Sequence, residues 1–364
     1  MPEAAATLDR PYRFAVGARE RFVGDYADVS QAFGTTLPTI DIPAGDFTEG
    51  VYIRVDASVP SNNSATVTFN GDGPFSVLAE VQLQDPQGVP FQILSGWELY
   101  AWNLLGGFTG QGDSTLSPYY TAVTGSGTTG GNFSFVLRIP CELFPREGVG
   151  ALYNGSTASQ FKVRVTLNTS ANVYGTAPTA VPTTVRVRFT SHGYQLAQAL
   201  PSGHPFDQEP PGGAIYNTLT RQVFQFSGAG TLTVPIIRKG FLYRQMLFVV
   251  RDNSGVRSNT VLTDAVLRID NVDHWNGSYN MWRHITWERN RSTGAQLPAG
   301  LVQQSFCHDW DGLVGGETRD QYVPTSPGSI VEMRLTAAAA GSLTILVNDV
   351  TPTKKAIEAG IVKV

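Results

Sequence analysis

Histidines and acidic residues are the side chains in this sequence most able to support catalysis or metal binding. The five histidines are His192, His204, His274, His284 and His308. No two of them are four residues apart, the spacing that places two zinc ligands on one face of a helix. Isolated histidines are usually structural, so the sequence predicts no metal site and no cofactor.

One short segment does combine several potential metal ligands, because His308 is followed by Asp309 and Asp311. Carboxylates and an imidazole are ligands that a divalent cation accepts. Aspartate side chains also stabilise turns by hydrogen bonding to their own backbone. An ordinary turn is therefore the interpretation that the sequence favours.

Two acidic pairs have the composition that glycoside hydrolysis requires, a carboxylic acid beside a carboxylate. They are Asp270 with Asp273 and Glu142 with Glu147. Charged residues of this kind are also frequent at solvent-exposed strand edges. We favour that second interpretation and expect no catalytic residue and no enzymatic activity.

Two glycine-containing segments match known catalytic or nucleotide-binding motifs only in part. Gly125, Gly127 and Gly130 fit the pattern G-x-G-x-x-G, which binds a pyrophosphate where a strand leads into a helix. Neither a buried strand nor a helix pattern flanks them, so a loop is predicted. Residues 112–114 (GDS) resemble the nucleophile segment of one esterase family, but no Asp-x-x-His follows, and we predict a hairpin tip.

The composition describes a folded, mildly acidic protein with few charges. Charged residues make up 15% and apolar residues 41% of the 364 residues, which also include 38 glycines and 22 prolines. A formal net charge of −4 disfavours nucleic-acid binding, which needs a concentration of Lys and Arg. No apolar run has the length of a secretion signal or a membrane span. We therefore expect synthesis in the cytoplasm without export.

The elements that must position these side chains are mostly β-strands. Residues 161–167 alternate apolar with polar side chains, the pattern of a strand with one buried face. Similar runs recur along the chain between Gly, Pro, Asn and Ser residues. Only residues 97–104 repeat apolar side chains at helical spacing, and they predict one short helix.

The chain also resembles itself once, in five blocks that keep their order. The paired blocks are 37–58 with 232–254, 77–85 with 262–270 (followed by the aromatic stretches 96–103 and 277–287), 135–144 with 301–310, 161–167 with 331–337, and 185–189 with 343–347. This alignment places Val55 opposite Val250 and Cys141 opposite Cys307. Two copies of about 170 to 190 residues, each with about eight strands, have the size of a jelly roll.

We therefore predict an all-β protein of two tandem eight-stranded jelly-roll β-sandwiches with few short helices. The expected division is an N-terminal arm (1–21), a first jelly roll (22–194), a Pro/Gly-rich connector (195–214), a second jelly roll (215–351) and a C-terminal tail (352–364). Because the two cysteines occupy separate copies, they are expected to be too far apart for a disulfide and to be free thiols.

Two phrases of sequence resemble a known family. The first is a strand ending in Pro, then Gly and an aliphatic strand, as in residues 40–55 (IDIPAGDFTEGVYIRV) and 234–250 (VPIIRKGFLYRQMLFVV). The second, in residues 73–103, is Gly-Pro, a strand, a turn and a Ser-Gly aromatic helix. The chain thus resembles the double jelly-roll major capsid proteins of tailless icosahedral phages with an internal membrane (tectivirus-like), which share the adenovirus hexon fold.

The second half departs from the second phrase. It has no Gly-Pro before Leu262, and its aromatic stretch carries Arg283, His284 and Arg289. The sequence therefore leaves open whether this stretch forms a helix.

The resemblance implies a structural role. Three chains would form a homotrimeric, pseudo-hexagonal capsomer of an icosahedral virion shell over an internal membrane, with long loops such as residues 106–132 as outward towers. The implied partners are further copies of the chain, neighbouring capsomers, minor capsid or vertex proteins and membrane lipid, without direct nucleic-acid contact. The implied location is the virion, assembled in the host cytoplasm.

The resemblance also assigns a role to the cationic N-terminal segment. In the family, such arms lie inside the shell against lipid, which would make Arg10, Arg13, Phe14, Arg19 and Arg21 a membrane-facing arm. Acidic headgroups attract each arginine by up to about 1 kcal/mol. A disordered terminus is the alternative.

Two other classes of protein fit the same composition. A carbohydrate-binding or glycan-cleaving β-sandwich is suggested by the six tryptophans and the acidic loop residues. A vertex or spike protein of a virion would share the strand content and the loop lengths. The native mass separates these classes, because a trimer supports the capsomer and a monomer supports the lectin or enzyme.

Overall fold

Strands dominate the chain. The structure is a computed structural model that describes residues 13–61, 63–108, 113–143, 148–197, 205–210, 215–290, 297–307, 309–310 and 321–352. The α-helices among them are α1 (Phe14–Gly17), α2 (Gly96–Leu105) and α3 (Tyr279–Asn290). The all-β prediction is confirmed. No helix in these ranges combines the length and the apolar character needed to span a bilayer.

The strands are numbered here in chain order. Those of the first half are β1 (Ala18–Gln31), β2 (Ile40–Asp41), β3 (Phe47–Ala57), β4 (Asn63–Phe69), β5 (Leu78–Gln84), β6 (Pro90–Leu94), β7 (Thr121–Ala122), β8 (Gly125–Gly127), β9 (Phe133–Pro140), β10 (Leu152–Tyr153), β11 (Lys162–Leu167), β12 (Tyr174–Thr176) and β13 (Val185–Leu196). Those of the second half are β14 (Thr218–Phe226), β15 (Gly230–Pro235), β16 (Phe241–Asp252), β17 (Leu262–Ile269), β18 (Val272–Ser278), β19 (Leu301–Ser305), β20 (Val323–Pro324), β21 (Val331–Ala337) and β22 (Gly341–Pro352).

Eight strands of the first half form the two sheets of a sandwich. One sheet has the order β1-β13-β3-β9 and the other β2-β11-β5-β6, and every neighbouring pair is antiparallel. Lettered B to I along the chain, these strands have the orders B-I-D-G and C-H-E-F, the topology of a jelly roll. We call this sandwich the first roll.

The second half repeats this topology. Its sheets have the orders β14-β22-β16-β19 and β15-β21-β17-β18, which are again B-I-D-G and C-H-E-F. The five sequence blocks lie on equivalent elements of the two rolls: strands C and D, strand E with the helix between F and G, strand G, strand H and strand I. The predicted fold of two tandem jelly rolls is confirmed, and we call this sandwich the second roll.

Strand alternation fills each sandwich with apolar side chains. The D strands supply equivalent residues to the two cores, Val51, Ile53 and Val55 in β3 and Met246, Phe248 and Val250 in β16. The match of Val55 with Val250 therefore holds in space. Each fully buried side chain of this kind contributes roughly 1.5–3 kcal/mol to stability.

Both rolls carry a helix between strands F and G, so the expectation of few short helices is confirmed and the second helix, which the sequence left open, is present. Helix α2 begins with a capping box, in which the Ser95 hydroxyl accepts from the Glu98 amide and the Glu98 carboxylate accepts from the Ser95 amide. At the start of α3, the Ser278 hydroxyl accepts from the Met281 amide. A serine cap in the second half was the signal that could have revealed this helix.

The G strands match with an offset of one residue from the sequence alignment. The Cys141 amide donates to the Glu49 carbonyl, and at the equivalent place the Phe306 amide donates to the Arg244 carbonyl. Phe306, rather than Cys307, thus occupies the position of Cys141. Both cysteines are buried and neither forms a disulfide, as predicted.

The two rolls point the same way. Strand β6 of the first roll and β14 of the second pair in parallel and join the two sheets into one sheet. The ends at which β1 and β14 begin therefore lie on the same side of the molecule, and we call this side the base. The opposite side carries a small sheet, β12-β4-β8, built from the connections between strands D and E, F and G, and H and I of the first roll.

Candidate assembly interfaces

Among the candidate acidic pairs, Asp270 and Asp273 form hydrogen bonds that stabilise local structure. Asp270 accepts from the Ile330 amide, and Asp273 accepts from Arg268 and Asn276. The pKa of each carboxyl is lowered. The hydrogen bond from Ser329 is the main cause for Asp270, and the hydrogen bond from Arg268 is the main cause for Asp273. Both carboxylates stabilise the turn between β17 and β18.

Glu142 is buried at the base of the first roll, and its partner Glu147 lies outside the described residues. The Tyr194 hydroxyl donates to the Glu142 carboxyl at 3.0 Å. Burial, reinforced by the charge of Glu49, raises the pKa of Glu142 to about 9. Glu142 is therefore a neutral acid inside the protein at pH 7.

The glycine segments are structural where they are described. Gly125 and Gly127 belong to β8, which pairs with β4. The next element along the chain is strand β9 and not a helix. In the GDS segment, Gly112 lies outside the described residues. The Asp113 carboxylate accepts from the Thr115 amide at 2.8 Å and from the Tyr100 hydroxyl at 3.0 Å, so it caps a turn of 3₁₀ helix.

The histidines lie apart from one another. His192 is buried on β13, His274 lies on β18 against the Phe306 ring, and His284 is exposed on α3. His204, His308 and Asp311 lie outside the described residues, so the His308–Asp311 cluster stays untested.

The predicted N-terminal arm is partly integrated into the first roll. Phe14 is buried, with its ring 5.1 Å from Phe47, and Arg21 lies within β1 and donates to the Ala44 carbonyl. Arg13 and Arg19 are exposed. Arg10 and the C-terminal tail from residue 353 lie outside the described residues, and contact of the arm with lipid stays a prediction.

The interface between the two rolls is the most extensively built feature of the molecule. Five apolar residues of the second roll face the first roll and belong to its hydrophobic core: Leu219, Leu247, Val249, Leu301 and Leu346. Helix α2 covers them, and nine of its ten residues are buried. The outward side of the second roll's B-I-D-G sheet thus carries apolar residues that pack against the first roll.

Buried polar side chains also hold the rolls together. Gln92 of the first roll donates to the Pro140 and Asn217 carbonyls at 2.7 and 2.8 Å. Arg244 of the second roll, fully buried, donates to Asn348 and to the Gly106 carbonyl that ends α2. Such groups are costly to bury unless paired, so this network permits only one arrangement of the two rolls.

A partly buried ion-pair cluster closes the interface at the end away from the base. Asp72 of the first roll forms ion pairs with Arg251 and Arg257 of the second, each with a nitrogen–oxygen distance of 2.7 Å. Both guanidinium groups also lie over the Trp97 ring, at 5.4 and 4.6 Å from its centroid. One carboxylate and one indole of the first roll therefore anchor two arginines of the second.

The equivalent surfaces elsewhere in the chain are open. The outward side of the first roll's B-I-D-G sheet, which we call the open face, carries Tyr52 and Arg54 where the second roll has Leu247 and Val249. The open face is covered by ion pairs: Arg186 with Asp28, Arg188 with Asp25 and Asp56, and Arg54 with Asp56. The open face is equivalent in position to the face that α2 covers on the second roll, but it carries charged side chains.

Helix α3 occupies the same place in the second roll as α2 in the first, but its outer side is exposed. It buries Tyr279, Trp282, Thr286 and Asn290 along one side. Met281 and Trp287 on its other side are 51% and 47% exposed. A groove of about 480 Å³ lies beside them, lined by Asn259, Asn280, Arg283, His284, Trp287, Leu297 and Ala299.

Solved structures share this architecture over nearly the whole chain. The crystal structure of the major capsid protein of Sulfolobus Turreted Icosahedral Virus has 14% identity and a TM-score of 0.67, with 92% of this chain and 97% of that chain covered. For PBCV-1 VP54 the identity is 12% and the TM-score 0.66, with 94% of each chain covered. For P2, the major capsid protein of bacteriophage PM2, the values are 10% and 0.55, with 91% and 97% covered.

These likenesses define the class of fold. The chain has the double jelly-roll fold, and the proteins that share it in these structures are viral major capsid proteins. The sequence resemblance to that fold is confirmed. No protein-family model matches the chain, and no curated protein matches it by sequence.

Asp72→Asn should weaken the inter-roll interface, because it leaves two partly buried arginines without their shared carboxylate. We expect the free energy of unfolding to fall by about 2 kcal/mol, as for other enclosed ion pairs that lose one partner, in chemical denaturation. Asp28→Asn removes an exposed ion pair on the open face and is the control. An equal loss in both variants would contradict a special role for Asp72.

Glu142→Gln should stabilise the chain more strongly as the pH rises. The folded pKa is raised above the unfolded value near 4.3, so the wild-type protein loses stability between that value and pH 9 as the unfolded state gives up its proton. We expect the variant to be more stable by up to about 5 kcal/mol at pH 8 and nearly unchanged at pH 4.5, measured by denaturation at both pH values. A gain that is independent of pH would refute the neutral form of Glu142.

Proposed function

We propose that this chain is the major capsid protein of an icosahedral virion and carries out no covalent chemistry. The observation that supports this most strongly is the interface between the two rolls. Both of its sides have an equivalent surface that lies open elsewhere in the chain, namely the open face and the outer side of helix α3. The sharing of this fold with major capsid proteins over more than nine-tenths of the chain supports the same function.

The open strand edges support self-association. Within the chain, the F strand of the first roll (β6) pairs with the B strand of the second (β14). Among the described strands, the F strand of the second roll (β18) and the B strand of the first (β1) are sheet edges. Since the rolls are equivalent, β18 of one copy fits beside β1 of the next copy as β6 fits beside β14.

The helices support the same contact. Helix α2 covers the outward face of the second roll's B-I-D-G sheet. By the same relation, α3 of one copy would cover the open face of the next, bringing Met281 and Trp287 against Tyr52 and Arg54. This contact joins different surfaces of the two copies, so it forms a ring if it closes. Six equivalent rolls from three copies give the pseudo-hexagonal homotrimer that the family resemblance implies.

The difference between the two interfaces suits this role. The interface within the chain forms during folding and is apolar, whereas the open face must remain soluble until copies meet. Ion pairs such as Arg188 with Asp56 keep it soluble. Aromatic and arginine side chains are also the residues enriched where protein surfaces associate.

The base has the character of a surface that meets lipid. Exposed apolar side chains gather there from both rolls: Val16, Val89, Tyr153, Tyr216, Ile237, Val272 and Ile330. Arg13 and Arg19 lie near the start of β1 on the same side. We propose that the base faces an internal membrane in the virion and that the β12-β4-β8 end points outward. Neighbouring capsomers and minor capsid or vertex proteins would then contact the sides of the trimer, after assembly in the host cytoplasm.

Trp287→Glu should prevent trimer formation, because it places a charge on the side of α3 that would cover the next copy. We expect the wild-type protein to have three times the mass of the 39.3 kDa chain and the variant to be a monomer, measured by light scattering. Ile237→Glu is the control and should stay trimeric. Ile237 is exposed and follows β15, the edge of the second roll's C-H-E-F sheet that lies opposite β18. A monomeric wild-type protein would contradict the proposal of a trimeric capsomer and favour the lectin or enzyme class.

Replacing both Ile237 and Ile330 by Glu should weaken lipid binding. The wild-type protein should float with vesicles that contain acidic phospholipid, and the double variant should lose most of this binding while remaining trimeric. Val256→Glu is the matched control, because Val256 is an exposed apolar residue in the turn after β16, at the end of the molecule away from the base. Equal flotation of all three proteins would argue against the proposed orientation.

A further inference from the structure

We propose that Glu20 and His192 hold a divalent metal ion of the Zn²⁺ type on the open face, with Glu49 as the residue that positions His192. These residues lie on the adjacent strands β1, β13 and β3. One candidate ligand atom from each lies within 4.8 Å of the others. The inference does not depend on the capsid role, because each ligand comes from a single chain.

The two ring nitrogens of His192 both face carboxylates. Nε2 lies 2.7 Å from Glu20 Oε1, and Nδ1 lies 3.2 Å from Glu49 Oε1. His192 is only 6% exposed and Glu49 only 5%, and Nδ1 has no aligned hydrogen-bond partner. A neutral ring has a proton on one nitrogen alone, so one nitrogen and its carboxylate would meet as two acceptors unless a proton or a cation lies between them.

The arrangement matches a common form of metal site. A histidine that binds a metal through one nitrogen usually donates the N–H of the other nitrogen to a carboxylate. Glu49 lies 3.2 Å from Nδ1, close enough to accept its N–H once the two groups align, which leaves Nε2 and Glu20 for the ion. Arg138 also bonds Glu49 and fixes that carboxylate in turn.

A β-bulge creates this geometry. The register of β13 and β3 shifts between His192 and Gly193, which leaves Glu49 unpaired and lets its side chain reach the side of the sheet that carries His192. A Cβ atom on Gly193 would lie 2.1 Å from the Phe47 carbonyl oxygen, so only glycine fits there. The sequence therefore specifies the irregularity that brings the three side chains together.

The ligand types select the ion. Imidazole nitrogen with carboxylate oxygen suits Zn²⁺, whereas Ca²⁺ and Mg²⁺ require more oxygen ligands. Glu20 is 62% exposed, so solvent can reach the ion and water can complete its coordination. The Phe22 ring, stacked on His192 at 4.0 Å, shields the other side of the imidazole. The positive charge of Arg138 opposes a cation, so we expect modest affinity.

Metal titration of the untagged, metal-stripped chain tests this site. Calorimetry with Zn²⁺ should give one equivalent bound per chain, and Co²⁺ should develop the visible absorption of a nitrogen- and oxygen-ligated ion. His192→Gln and Glu20→Gln should each weaken Zn²⁺ binding at least about tenfold. Glu20 is exposed, so its variant keeps the test valid if the His192 variant fails to fold. His284→Gln, at an exposed histidine on α3, is the control.

Several outcomes would overturn the site. It is wrong if Zn²⁺ binds without a defined stoichiometry, if Glu20→Gln binds as tightly as the wild-type protein, or if His284→Gln removes the binding instead. Failure to bind any metal would mean that a proton alone joins His192 to Glu20. None of these results bears on the oligomeric state, so the capsid proposal is tested separately.

Discussion

The parallel pairing of β6 with β14 is the constraint on which the remaining structure depends. It joins one sheet of each roll into a single sheet and aligns both rolls in the same direction. Only one pair of opposed residues marks this junction in the ladder, Leu219 with Gln92, so side chains must hold it. Gln92 donates to the Pro140 carbonyl of its own roll and to the Asn217 carbonyl across the junction, and the leucines and valine of the second roll complete the first roll's core.

This junction also explains why the two rolls differ on their surfaces. The side of a roll that is permanently covered can carry Leu247 and Val249, because water never reaches it. The equivalent side of the first roll carries Tyr52 and Arg54 and a set of ion pairs. Exposed ion pairs add little stability, but they keep a large sheet face soluble. One topology thus yields one covered face and one open face.

The sequence was most reliable where a pattern repeats over a strand. Alternation identified the strands, and the order of the five blocks identified two equivalent halves, since both follow from the period of two along each strand. The sequence was less reliable where the outcome depends on the exact position of a single residue. The G strands are offset by one residue, so Phe306 replaces Cys307 opposite Cys141. Helix α3 stayed undecided because its charged outer side obscured the buried side that includes Trp282.

The sequence by itself determined the all-β class, the tandem repeat and two cysteines that form no disulfide, because these follow from local alternation, composition and order along the chain. Only the tertiary structure decided which surfaces are covered and which acidic groups are neutral. Glu142 has a strongly raised pKa because folding buries it beside Glu49, and no local pattern carries that information. Glu20, Glu49 and His192 are likewise distant in the chain, and they meet only because a B-I-D-G sheet makes strands B, I and D neighbours.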